Sequence, residues 1–468
     1  MASPGSPILA RLRLARASLA LVSTGSRRAR GPRFRWSLAR PRLALLLILG
    51  MLAVRAGLAS ASFMLPGGAI IGWSQITRTN CVLCQAPKSV TNPAGHPLTP
   101  AEYAALLTQR LTLDEALGQM MIGQFAGQDA TPEAVEMLNT ESLGGVTLYA
   151  ANIGSASQTR AMDAQLQQIA AIPPLISVDQ EGGDVNRLLN LVGPLPAAAD
   201  LTNPQMARIR GSLDAGLLHN LGINLNLAPV VDVGTSNPQL FGRTFGSDPN
   251  RVAAMAGAYL EGLQASGQVT GCLKHFPGLG DTTTDPHLGL PVLNRSLADL
   301  EQIDLKPYRL LLKSEDVRAI MVSHEMIPPL DPNLPTSLSP ATINGLLRGK
   351  LGYQGVVITD SLYMDAISTR WSVSDAGVLA IEAGADMISG LYDSQIVQQT
   401  KDALKDALAS GKLTRQRIDT SVQRILTLKI RMGLIPMPQQ SSRHQPAPTP
   451  RGRTLPNALQ IGLVPQWE

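Results

Sequence analysis

The run Val269-Thr270-Gly271-Cys272-Leu273-Lys274-His275 passes straight into Phe276-Pro277-Gly278-Leu279-Gly280-Asp281-Thr282-Thr283-Thr284-Asp285-Pro286-His287-Leu288. A short apolar run that ends on a lysine and a histidine reads as a buried strand delivering polar side chains at its carboxyl end. From Lys274 to Leu288, fifteen residues hold two of the chain's six histidines, two carboxylates and a lysine. A loop that only has to turn needs Gly, Pro, Asn and Ser, and gains nothing from titratable groups of both signs close enough to perturb one another. Asp285 and His287 stand two apart, so in extended backbone they face the same way and the carboxylate can orient the imidazole.

The same kind of run recurs on both sides of this one. From about residue 111 the chain alternates short apolar runs with longer amphipathic segments, the pattern of a parallel sheet with crossover helices. The runs are Gln119 to Phe125, Gly145 to Tyr149, Pro174 to Asp179, Ile223 to Val230, Val269 to His275, Ala319 to His324, Gly355 to Asp360 and Ala385 to Gly390. Eight such units predict an α/β fold of the (β/α)8 TIM-barrel type, with a single catalytic domain. An open doubly wound sheet is the alternative, but no G-x-G-x-x-G follows the first strand. Amphipathic segments near Ser394 to Ala409 and Leu413 to Leu434 follow the eighth run, the first as the helix that closes the ring. The Pro-, Gln- and Ser-rich stretch from Pro436 to Pro450 reads as a disordered tail.

The formal net charge is +5, but residues 1–101 contain thirteen Lys and Arg and no Asp or Glu. The remaining chain therefore carries 27 basic against 35 acidic side chains, near −8, which repels phosphate backbones and argues against nucleic acid as a partner. The basic excess has another reading. Ten arginines precede Leu43, an unbroken apolar run continues to Val54, and small residues end at Ala59-Ser60-Ala61. That is the layout of an export signal, with a cleavage site or, if uncut, a membrane anchor over residues 43–73. The bulk of the chain is then extracytoplasmic, secreted or anchored; a cytosolic basic tail is the alternative. The expected organisation is 1–42 a basic n-region, 43–61 a signal or anchor, 62–105 a linker, 106–436 the barrel and 437–468 a disordered tail. Cys81 and Cys84 form a lone C-x-x-C without a second pair of zinc ligands, which favours a local disulfide, and Cys272 reads as a small core residue.

Barrel enzymes work at the carboxyl ends of their strands. Here the third run closes on Asp179-Gln180-Glu181, the fifth on Lys274-His275, the sixth on Ser323-His324 and the seventh on Asp360-Ser361. The rim suits cleavage of a glycosidic bond, which asks for a nucleophile or base on one side and a proton donor on the other. Asp360 follows the β-branched run Val356-Val357-Ile358-Thr359 and is rigid enough for the first role. His287, held by Asp285, suits the second, because an imidazole both gives and takes a proton near neutrality. Asp179, Arg187, Arg243, Lys274 and His275 are the candidate binders of sugar hydroxyls.

These residues resemble the family 3 glycoside hydrolases, and within them the bacterial β-N-acetylglucosaminidase (β-hexosaminidase) branch. The likeness runs from about Leu111 to Met432 and includes Leu111-Thr112-Leu113-Asp114-Glu115, Val178-Asp179-Gln180-Glu181-Gly182-Gly183, Ala228-Pro229-Val230-Val231-Asp232, Gly242-Arg243-Thr244-Phe245-Gly246, Lys274-His275-Phe276-Pro277-Gly278 and Thr359-Asp360-Ser361-Leu362. What the resemblance implies is a retaining, exo-acting mechanism, with Asp360 as nucleophile, His287 as acid/base with Asp285 as partner, and Asp179, Arg187, Arg243, Lys274 and His275 on the terminal sugar. Leu279 stands where the branch usually has a second histidine, and Pro286 replaces the usual serine between Asp285 and His287. The expected substrate is a carbohydrate ending in β-linked N-acetylglucosamine, from cell-wall or chitin-derived oligosaccharides. The chain is expected to be a monomer without cofactor or metal. The alternatives are a β-glucosidase or phosphorylase of the same family, a metal-dependent hydrolase using His275, Asp281, Asp285 and His287, and a sugar-binding protein without catalysis.

Overall fold

Eight short parallel strands close on themselves: β1 (Met121–Gly123), β2 (Gly145–Leu148), β3 (Leu175–Val178), β4 (Leu225–Asn226), β5 (Thr270–Phe276), β6 (Ala319–Val322), β7 (Val356–Ser361) and β8 (Met387–Leu391). Each pairs with its neighbours in chain order and β1 pairs with β8, which makes a (β/α)8 barrel. The computed structural model describes Leu83 and residues 96–234 and 237–438. The basic segment, the segment expected to direct export, Cys81, Cys84 and the tail beyond 438 lie outside those residues. Among the described residues no helix is long and apolar enough to cross a membrane.

Every strand coincides with one of the eight apolar runs, β5, β7 and β8 each reaching one residue beyond it, because a strand covered on both faces must be apolar throughout rather than alternating. All residues of β2, β3, β5 and β6 are buried. Cys272 lies in this core with no exposure, and burial pushes its thiol up to about 12. The helices between strands start where the sequence supplies a cap. Thr112 pairs with Glu115 and Ser155 with Gln158 as capping boxes, and Asn203, Asp248, Ser372, Asp393 and Thr414 each accept a backbone N–H of the first turn. The two expected terminal helices appear as Ser394–Ala409 and Arg415–Arg431.

Three boundaries differ from the sequence expectation. Gln119, expected to open β1, is instead the last residue of the helix Leu113–Gln119; its side chain donates to Ser142 O at 2.6 Å and accepts from Lys429 Nζ at 2.6 Å. The fourth run pairs regularly only at Leu225–Asn226, since Pro229 has no N–H to give a ladder. It stays attached to β5 by irregular bonds, Cys272 N to Ala228 O, Lys274 N to Pro229 O and Val231 N to Lys274 O. The expected linker contains the start of the helix Pro100–Thr108, which Thr99 and Glu102 cap and which buries Tyr103, Ala104 and Leu107 against Arg415–Arg431.

The segments after β4 and β5 touch backbone to backbone. A Cβ on Gly280 would lie 1.8 Å from Val233 O, and one on Gly234, whose φ is +133°, would lie 2.8 Å from Gly280 O. Only glycine allows that approach, and it fixes the start of the dense loop against the barrel rim.

The opposite end of the barrel is held by Asp386, fully buried at the start of β8. Its carboxylate pairs with Arg348, accepts from Arg424 at 3.1 Å, from Ser421 Oγ at 2.6 Å and from Val357 N at 2.9 Å, tying two helices to β7. Removing one partner of a buried ionic cluster leaves the remaining charges desolvated. Asp386→Ala is therefore expected to cost about 3–5 kcal/mol in urea unfolding; a loss below about 1 kcal/mol contradicts this account of the closed end.

Candidate functional site

At the carboxyl end of the strands, four charged side chains from three strands interlock. Lys274, on β5 with its side chain 3% exposed, donates to Asp179 Oδ1 at 2.6 Å and to Glu181 Oε1 at 2.7 Å. Arg243 grips the same Glu181 with two parallel bonds, Nε to Oε2 at 2.7 Å and a terminal nitrogen to Oε1 at 2.8 Å. Burial alone would raise the Glu181 carboxyl, but Lys274 and Arg243 outweigh it and hold it down at about 2. Burial would lower the Lys274 ammonium, and Asp179 and Glu181 reverse that and raise it. Two cations and two anions balance, so the site's interior stays charged without carrying net charge.

Asp232 fixes the next segment. Its Oδ2 sits 2.7 Å from His275 Nδ1, and its Oδ1 accepts the backbone N–H of His275 at 3.3 Å and of Leu279 at 2.8 Å. Leu279, where the resemblance expects a second histidine, is buried and its carbonyl accepts from Asn237 and Thr282. The loop is thus held through backbone groups at that position, and a histidine side chain has no part in it.

Asp360 occupies the end of β7. Ser361 N donates to its Oδ1 at 2.7 Å. Burial pushes the carboxyl up, yet His324, His275, the Ser361 N–H and Lys274 together bring it below the ordinary aspartate range, so it is ionised at neutral pH. His324 is itself locked, Nδ1 at 2.7 Å from Ser337 Oγ and Nε2 donating to Ser361 O at 3.0 Å, and burial lowers its pKa. Tyr149, at the end of the second run, is raised by burial and by the fields of Asp179 and Asp360. The Arg187 guanidinium lies 5.9 Å from the Tyr149 ring centroid, and its Nε is buried with no hydrogen-bond partner among the described residues.

Asp285 and His287 meet as their spacing implied. His287 Nδ1 lies 2.8 Å from Asp285 Oδ1, and the His287 backbone N–H donates to the same oxygen at 2.9 Å. With Nδ1 engaged, Nε2 is the nitrogen left to face a ligand. The His287 side chain is 71% exposed while Asp285 is 14% exposed, a half-buried anchor under an open imidazole. Pro286 O accepts from Ala366 N at 3.0 Å, which ties this loop to the short helix Asp365–Ser368 after β7. A cleft of about 650 Å³ is lined by His287, Ser361 and Tyr149 together. A second cavity, of about 540 Å³, lies where β6 and β7 begin and is lined by none of the expected site residues.

All eight expected site residues lie on this rim, and the structure adds Glu181, Asp232, His324 and Tyr149 to them. The rule that strand ends carry chemistry would have found Tyr149 and Asp232 had it been applied to the second and fourth runs. The four residues of the metal-dependent alternative pair elsewhere: His275 with Asp232, Asp281 with Arg295, and Asp285 with His287. Among the described residues no group of three or more His, Cys, Asp or Glu side chains is placed to hold a metal ion.

Residues 112–428 match the glycosyl hydrolase family 3 N-terminal domain. Over 369 residues the chain is 37% identical to the β-hexosaminidase LpqI of Mycobacterium tuberculosis, covering 74% of this chain and 88% of that protein. Among solved structures, a family 3 β-N-acetylglucosaminidase from Paenibacillus sp. superposes with a TM-score of 0.66 at 37% identity, over 69% of this chain and 63% of that one. A family 3 glycosyl hydrolase from Mycobacterium smegmatis gives 0.63 at 33% identity, over 69% of this chain and 98% of that one. With the fold, the rim and these likenesses in agreement, the chain belongs to glycosyl hydrolase family 3.

Proposed function

We propose that the protein is a retaining, exo-acting β-N-acetylglucosaminidase acting on oligosaccharide ends, with Asp360 as nucleophile and His287, oriented by Asp285, as acid and then base. The observation that carries this reading is an ionised carboxylate at the tip of β7 whose chain neighbour Ser361 lines one cleft together with the exposed imidazole of His287, on the loop after β5. Asp360 Oδ attacks the anomeric carbon while the bond to the leaving oxygen breaks and the imidazolium gives that oxygen its proton. Water then enters, His287 takes a proton back, and attack at the anomeric carbon releases Asp360. The open face of His287 admits that water. Asp285 accepts the Nδ1–H and so steadies the imidazolium, as a carboxylate does in any acid/base dyad of this kind.

The terminal sugar sits against the rim network. Asp179 accepts from a hydroxyl, and the unpartnered Nε of Arg187 has a donor to spare. Lys274 and Arg243 are largely engaged by Asp179 and Glu181, so their part is to hold those carboxylates in place as much as to bind. Names of relatives that carry "hexosaminidase" or "β-N-acetylglucosaminidase" support the choice of sugar. Export rests on the basic and apolar amino-terminal segments and on Ala59-Ser60-Ala61, and the site then acts outside the cytoplasm.

Asp360→Ala is expected to lower kcat on a nitrophenyl N-acetylglucosaminide by about 10⁴-fold or more, with azide restoring turnover as the α-glycosyl azide. Turnover within tenfold of the wild type contradicts the assignment. His287→Ala is expected to slow a disaccharide by about 10²–10⁴-fold and an activated aryl glycoside far less; an equal loss on both removes His287 from proton donation. Running the reactions with added inorganic phosphate tests the phosphorylase alternative directly, with free sugar expected and sugar 1-phosphate the contrary result.

The rim network has its own pH signature. Glu181 falls from an ordinary value of 4.5 to about 2 on folding. A depressed acid contributes stability above its unfolded value and loses it as pH falls toward the folded one. The stability gap between wild type and Glu181→Gln is thus expected to be full at pH 6 and to shrink between pH 4.5 and 2 in urea unfolding; a gap that is flat across that window contradicts the ionic account.

A further inference from the structure

On the His287 side the mouth opens into a cleft lined by Phe125, Tyr149, His287, Ser361, Tyr363 and Tyr392. Tyr363 and Tyr392 are 49% and 41% exposed, large apolar rings left in solvent at the edge of the site. Their centroids are 4.8 Å apart at an interplanar angle of 63°, so they form one edge-to-face pair with a shared open surface. The pair is rigidly mounted. Leu362 N donates to Ser389 O at 3.0 Å, and Gly390, at φ +96°, lets the end of β8 come so close that a Cβ would lie 2.9 Å from Leu362 N and 3.1 Å from Tyr363 N.

Nothing in bond cleavage itself needs this platform, but its position is informative. His287 delivers a proton to the leaving oxygen, so the leaving group lies on the His287 side, where the two rings stand. A pyranose presents a face of C–H bonds that packs on aromatic rings, and exposed aromatics in a cleft with a few polar groups are the usual make-up of a ligand site. Asp365 lines the same cleft. Its carboxylate disfavours an anionic occupant, which is an argument of charge rather than of shape. Resting on the hydrolase reading above, we propose that Tyr363 and Tyr392 form the leaving-group subsite and that it takes an uncharged pyranose, such as a second N-acetylglucosamine, in preference to a ring bearing a carboxylate.

The test compares substrates with and without a ring in that position. N,N′-diacetylchitobiose fills the subsite, whereas N-acetylglucosaminyl fluoride has a one-atom leaving group. Tyr363→Ala and Tyr392→Ala are each expected to lower the ratio of kcat/KM for the disaccharide to that for the fluoride by about tenfold, and Tyr→Phe to retain the ratio because the ring remains. A ratio unchanged in both Ala variants, including loss on both substrates together through poor folding, overturns the subsite. So does a wild type that cleaves the fluoride but not the disaccharide. A wild type that cleaves neither overturns the hydrolase reading, and the subsite falls with it. For charge, a disaccharide whose leaving ring carries a lactyl carboxylate is expected to be cleaved about threefold or more slowly at pH 7, with the gap narrowing in Asp365→Asn; equal cleavage by the wild type overturns the preference for an uncharged ring.

Discussion

A lysine ammonium buried at the end of a barrel strand is the constraint around which this site is built. Lys274 is 2% exposed, and an isolated ammonium in that position would lose its proton or unfold its surroundings. Two carboxylates from the segment after β3 meet it, and the second of these is met in turn by Arg243 from beyond β4. Strands 3, 4 and 5 are thereby locked at one rim. The Lys274 network balances its own charges, while among the described residues the carboxylate at the tip of β7 has no salt-bridge partner. Its ionisation is maintained by two imidazoles, one N–H and the field of Lys274. An anion held ionised without being consumed by an ion pair is what nucleophilic attack requires.

The second half of the site is organised differently. Asp232 and the close approach of Gly280 to Val233 fix the first residues of the loop after β5, and Pro286 O fixes its far end to the short helix Asp365–Ser368 after β7. Between those anchors His287 remains open to solvent on a half-buried carboxylate. In the proposed roles, a nucleophile on a strand and a proton carrier on a tethered loop make a division of labour suited to a two-step reaction, since the loop group would face the leaving oxygen first and a water afterwards.

Much of this was legible in the sequence, for identifiable reasons. Eight apolar runs predicted eight strands because parallel strands buried on both faces show no alternation that could be confused with an exposed sheet. Asp285 and His287 could be paired by spacing alone. The partners of Lys274 and His275 could not. Glu181 is 93 residues from Lys274 in the chain, and Asp232 is 43 from His275; only the closure of the barrel brings them together, and no local pattern encodes that distance. The shortened β4 was hidden for a related reason, since Pro229 removes a ladder donor from a run whose apolar character still reads as strand. Tyr363 and Tyr392 carry no chemistry in sequence and became visible only as a pair across two loops.

The central claim is a covalent bond to one named oxygen. Incubation with a slow-turnover 5-fluoro N-acetylglucosaminyl fluoride, followed by proteolysis and peptide mass spectrometry, tests it most directly. The account predicts a single sugar adduct on Asp360. An adduct on a different carboxylate, or steady turnover of the reagent with no adduct on the protein, contradicts it.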